Sequence, residues 1–107
     1  MLTDTRPCPR LDLSAPDVTD ATAIAALLAD RTRSGILALL RDGPHCVCEF
    51  AATFEERENN VSNHLARLRD AGLVRASRHR GDARWVYYER DEDAIAAARA
   101  ALLGILG

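Results

Sequence analysis

The sequence predicts a mainly α-helical domain with one small β-hairpin, an α+β arrangement. Three observations predict it. Apolar residues recur at helical spacing through most of 20–71, two short alternating segments flank Arg80-Gly81-Asp82, and an Ala/Leu-rich stretch closes the chain. At 107 residues this is one domain, able to bury a core but marginal as a lone monomer.

The first sixteen residues carry three prolines, Pro7, Pro9 and Pro16, with little apolar rhythm. Residues 1–19 therefore read as a flexible arm, and 20–107 as the folded domain. From about 20 the pattern turns helical: Asp20 can cap, and Ile24, Leu27 and Leu28 share a face. A second helix over 31–41 carries Ile36, Leu37, Leu39 and Leu40 and stops at Gly43-Pro44. A short third helix from about Cys48 aligns Val47, Phe50, Ala51 and Phe54.

The segment "EERE" at 55–58 breaks the rhythm and reads as a tight interhelical turn. A fourth helix over 58–71 points Val61, Leu65 and Leu68 inward and ends at Gly72. Segments 73–79 and 83–89 form a hairpin by turn chemistry. The last helix starts near Asp91 with acids in its first turn, as the helix dipole favours. Ile95, Ala98, Leu102, Ile105 and Leu106 line one stripe of it. This order of elements is that of a winged helix-turn-helix, with 58–71 as recognition helix and 74–88 as wing.

No run of about 18 apolar residues could span a bilayer, and the N-terminus lacks an apolar signal-peptide centre. A cytoplasmic location, with reduced thiols and no membrane partner, is the expectation; the odd count of three cysteines agrees. Net charge is −2, which alone argues against nucleic acid. Its distribution argues otherwise, because 57–90 holds eight arginines against four acids. No nucleophile–base pair with an orienting third group and no phosphate-cradling glycine loop is present, so an enzyme is not expected.

Three strings, "LADRTRSGILALL" at 28–40, "CVCEF" at 46–50 and "NVSNHLARLRDAGLVRASRHRGDARWVYY" at 60–88, resemble the ArsR/SmtB family of bacterial metal-sensing repressors. The resemblance covers about 20–107. It implies a homodimer joined through the terminal helices, bound to a palindromic operator without metal and released when metal binds. The chain also departs from the family pattern. Arg31 stands in place of a proline, and the turn usually written L-G-L-S-Q is Phe54-Glu55-Glu56-Arg57-Glu58, without the glycine or the serine cap. Ala51 occupies the position of an occasional third cysteine. No histidine lies beyond His79, so the zinc-sensing pairs of the last helix are absent. Where a cadmium/lead-sensing branch has cysteines in the recognition helix, this chain has Arg67 and Ala71.

The thiols follow. On an ideal helix positions i and i+2 point about 200° apart, so Cys46 and Cys48 could share an ion only in an extended or fraying first turn. Pro44, two residues before Cys46, favours such a geometry. Cys8 on the arm is the available third sulfur. Three sulfurs suit As(III) or Sb(III), and also Pb(II); Cd(II), and less readily Zn(II), would add His45, Glu49 or water. Against this stands the reading of free cysteines as small buried hydrophobes.

For operator DNA, Asn59, Asn60, Ser62, Asn63 and His64 fall in the first turns of the recognition helix, where base edges are reached. Asparagine suits adenine, while Arg67 suits guanine or phosphate. Arg78, Arg80 and Arg84 on the wing would meet phosphate or the minor groove. His64 could equally hold the helix, and Trp85, Tyr87 and Tyr88 are expected to pack the wing. The dimer is expected through Ile95, Leu102, Ile105 and Leu106. Two other classes stay open: a thiol redox or persulfide sensor on the same scaffold, and a winged helix used only for protein contacts.

Overall fold

The computed structural model describes residues 8–78 and 86–107. The described elements run α1 (Pro16–Leu28), α2 (Arg31–Leu39), a 3-10 turn (Leu40–Asp42), β1 (His45–Cys46), α3 (Val47–Phe54), α4 (Glu58–Asp70), β2 (Val74–Arg78), β3 (Val86–Arg90) and α5 (Glu92–Leu106). The hairpin tip, with Arg80, Arg84 and Trp85, lies outside the described residues, as does the side chain of Arg78.

Helix α1 starts at Pro16, ahead of the position near Asp20 expected from the apolar pattern. Proline is at home there, because the amide it lacks is one that a helix start leaves unpaired anyway. Asp20 therefore lies within α1 and caps nothing; Ala15 is the N-cap. Just before it, Ser14 donates backbone and side-chain hydrogen bonds to Asp12 Oδ1, closing a local turn. Helix α2 is capped by Asp30, whose Oδ1 accepts from the amides of Thr32 (2.8 Å) and Arg33 (3.1 Å). Its continuation ends at Gly43, whose φ of 131° disfavours any side chain.

The sheet has three strands in the order β1-β3-β2, all antiparallel. β2 and β3 form the expected hairpin, with Ala76 opposite Tyr88. β1 is an addition: His45 pairs with Tyr88 and Cys46 with Tyr87. A strand of two residues has no periodicity to reveal it.

The core lies where α2, α3, α4 and the hairpin meet, with Ile36, Phe50, Val61, Leu65, Leu68 and Val74 its most fully buried members. α2 and α3 approach closely at Gly35, where a Cβ would lie 3.1 Å from the Phe54 ring. The connection from α3 to α4 turns through Glu55, whose φ of 55° is left-handed without the help of glycine. α5 is capped by Asp91, which accepts from the Ala94 amide (3.1 Å), and lies along α1. Its apolar stripe divides. Ile95 and Ala98 pack against the core of their own chain, whereas Ile105, Leu106 and the neighbouring Leu103 are exposed. No described helix is long and apolar enough to cross a membrane.

Candidate thiol turn and nucleic-acid interface

Cys46 occupies a junction. It ends β1 and is the N-cap of α3, with extended backbone (φ −92°, ψ 166°). That is the non-helical first turn in which Cys46 and Cys48 can face the same side, with the Cys48 thiol near enough to disfavour the ionised form of Cys46. Cys46 is buried and Cys48 half-buried. Burial pushes the Cys46 thiol up to about 11, and the neighbouring Cys48 thiol adds to the effect.

The turn is braced by Glu49. Its Oε1 accepts from the Cys46 amide (3.1 Å), and its Oε2 accepts from His45 Nδ1 (3.0 Å). The His45 bond first, and the Cys46 amide second, hold the Glu49 carboxyl below the usual carboxylate range. The His45 ring packs edge-on against Phe50, with centroids 5.9 Å apart. His45 and Glu49 are thus engaged with one another and with the backbone of the turn. Cys8 is exposed and precedes α1. Among the described residues of one chain, no three His, Cys, Asp or Glu side chains gather into a cluster that could hold a metal ion. Cys46 and Cys48, at the N-cap and in the first turn of α3, are the two thiols that neighbour one another among the described residues.

α3 packs directly on α4, so the thiol turn lies one helix away from the polar face. That face exposes Asn59, Asn60, Ser62, Asn63 and Arg67, while Val61, Leu65 and Leu68 are buried opposite. His64 faces inward. Its Nδ1 lies 3.2 Å from an Arg33 guanidinium nitrogen and its Nε2 lies 3.9 Å from Asp30 Oδ1. Arg33 also donates to the Leu27 carbonyl (2.8 Å) and the Ala26 carbonyl (3.2 Å). It thereby closes the C-terminal end of α1 and meets α4 through His64. The sequence marks Glu56 only as part of an unusual acidic turn, and it does not mark Asp30, Thr32 or Arg33 as parts of the site. Asp30 just ahead of a helical pattern was a legible cap signal; the long-range partners of the other three were not.

The acidic turn is also organised. Glu56 accepts from Thr32 Oγ1 and from Asn60 Nδ2, each at 2.7 Å. On the hairpin, Arg75 pairs with Glu89 at 2.9 Å, and at its foot Arg90 pairs with Glu92 at 3.1 Å, so part of the local arginine surplus is neutralised within the chain. Tyr88 packs against the core.

A helix-turn-helix with a hairpin wing and an outward polar recognition helix defines a DNA-binding regulator class. Residues 30–76 match the family model described as "Bacterial regulatory protein, arsR family". The arsenical resistance operon repressor of Escherichia coli strain K12 is 41% identical over 63 residues, 58% of this chain and 51% of that protein. A cadmium resistance transcriptional regulatory protein, CadC homolog, of Staphylococcus aureus is 29% identical over 85 residues, 78% of this chain and 68% of its own. The crystal structure of a possible transcriptional regulator for arsenical resistance superposes with a TM-score of 0.69 at 31% identity, covering 78% of this chain and 83% of that one. The chain belongs to the arsR family of transcriptional regulators, which are not enzymes. Its match spans about half the length of the Escherichia coli repressor.

Proposed function

We propose that the chain is a transcriptional repressor in the cytoplasm that holds duplex operator DNA as an ion-free homodimer and releases it when a thiophilic ion binds cysteine sulfurs. The observation that carries this reading is the extended N-cap at Cys46 with Cys48 in the first turn of α3, a helix packed against the polar-faced α4. Relatives named for arsenical and cadmium resistance support the choice of ion class. On this reading Asn59, Ser62, Asn63 and Arg67 face the duplex with Asn60, the wing arginines meet phosphate, and His64 holds α4 against α2. The exposed Ile105 and Leu106, with Leu102, join two copies.

The third sulfur is assigned to Cys8 of the partner subunit, because within one chain no described third ligand gathers with Cys46 and Cys48. Seven residues separate Cys8 from the start of α1, and a flexible arm of that length reaches roughly 15 Å on average. As(III) or Sb(III) suits three thiols without any prior thiolate: arsenic trihydroxide and three S–H groups give three As–S bonds and three waters. Cd(II) or Pb(II) would displace the thiol protons instead, and Zn(II) fits less well without a fourth donor. Burial of Cys46 counts against that thiol as the attacking group of a peroxide or persulfide sensor, which needs an accessible thiolate. Ion binding must favour the released form by the same factor that it weakens DNA binding.

The test is a titration of the reduced protein with arsenite, Cd(II), Pb(II) and Zn(II), reading sulfur-to-metal absorption and release of a selected duplex in the same samples. Cys46→Ser and Cys48→Ser should keep ion-free DNA binding and lose ion-driven release. Cys8→Ser should weaken ion binding; unchanged affinity for every ion would mean that the site is built without the arm.

A further inference from the structure

Asn60 differs from the other polar residues of the α4 face. Its side-chain nitrogen lies 2.7 Å from Glu56 Oε2, while Glu56 Oε1 accepts from Thr32 Oγ1 at 2.7 Å. Thr32 is buried on α2, so the carboxylate is anchored to the helix beneath. An ionised carboxylate only accepts, so the amide of Asn60 must turn its NH2 group toward Glu56. The two ends of an asparagine amide are otherwise interchangeable by a flip; here Glu56 takes one amide hydrogen and favours the orientation that leaves Oδ1 turned away from the carboxylate.

We propose that Glu56 is a positioning residue for DNA reading: it locks the Asn60 amide so that Oδ1 is the group committed to the base edge. This rests on the reading of α4 as a recognition helix and adds a specificity rule to it. In the major groove an acceptor fits the exocyclic amino group of adenine or cytosine, and meets only acceptors on guanine O6 and N7 or thymine O4. A free asparagine could flip and donate to either of the latter. The acid in the turn, where the family pattern carries none, thus narrows what one asparagine can read.

The experiment has two arms. First, the wild type, Glu56→Ala, Asn60→Ala and the double variant each select duplexes from a pool randomised over the binding length. The wild type should prefer adenine or cytosine over guanine and thymine at one position in each half-site. Glu56→Ala should relax that preference by roughly five- to tenfold, the scale of one base contact, and leave other positions unchanged. Asn60→Ala should abolish it, and adding Glu56→Ala should then change nothing further. An unaltered profile in Glu56→Ala, or equal losses at every position, overturns the proposal. Second, hydrogen exchange of the asparagine side-chain amides is followed by NMR in the DNA-free protein. Asn60 should exchange more slowly than Asn59 in the wild type and match it in Glu56→Ala; equal rates in the wild type would overturn the lock. If the wild type selects no motif, the DNA-binding reading itself fails, and the exchange arm still decides whether the amide is held.

Discussion

Helices α4 and α5 are of similar length, 13 and 15 residues, and of opposite character. α4 is polar in composition yet buries Val61, Leu65 and Leu68 to 1% exposure or less. α5 is Ala/Leu-rich yet has no fully buried residue. Spacing accounts for the first: positions 61, 65 and 68 form a single stripe that one chain covers completely. Excess accounts for the second, since apolar residues occupy more of the α5 surface than α1 and the core can cover. A groove of about 300 Å³ between α1 and α5, lined by Val18, Ala21, Ala25, Leu102, Ile105 and Leu106 among others, is left open. Burial within the chain is therefore set by pattern, and the apolar surplus on α5 is the part consistent with a second copy.

Mutations on each helix can break or sharpen that contrast. The largest effect is expected at Leu65, where Leu65→Ala should cost about 2–5 kcal/mol of folding stability by leaving a cavity in the core. Urea unfolding measures it, and a loss below about 1 kcal/mol would mean that α4 is not the keystone of the core. On α5, Leu102→Glu should leave the fold largely intact but raise the dimer dissociation constant about thirtyfold or more. Sedimentation across a concentration series reads this, and a wild-type constant would place the interface elsewhere.

On the polar face of α4, Arg67→Ala should flatten the salt dependence of log K for DNA by roughly 0.9 if Arg67 meets a phosphate, with stability unchanged. A steep slope kept in full removes Arg67 from the backbone contacts. The smallest effect is expected at the turn before α4: Glu55→Gly should stabilise by about 0.5–1 kcal/mol, because glycine adopts φ near 55° without a Cβ penalty. Destabilisation would mean that the Glu55 side chain contributes more than its backbone strain subtracts.

Much of this was legible in the sequence. The helical spacing at 61, 65 and 68, the Gly43 stop and the alternating hairpin strands each express a local rule, and the structure follows them. Departures occurred where local signals conflict or are too short. Pro16 belongs to a proline-rich arm by composition but starts α1, since a first-turn proline satisfies both descriptions. The left-handed turn at Glu55 survives the loss of its glycine because helices packed on either side determine the path.

The sequence by itself determined the order of elements, the buried stripe of α4, the apolar excess of α5 and the closeness of two cysteines, because each depends on neighbours within a few turns. Only the tertiary structure decided what those residues touch. Cys46 lies extended at the head of α3 because β1 pairs with β3, some 40 residues away in the chain. His64 faces Arg33 and Asp30, and Glu56 joins Thr32 to Asn60, because α4 packs across α2. Such partners lie far apart in sequence, and no local periodicity encodes the hydrogen bond that a packed helix pair brings within reach.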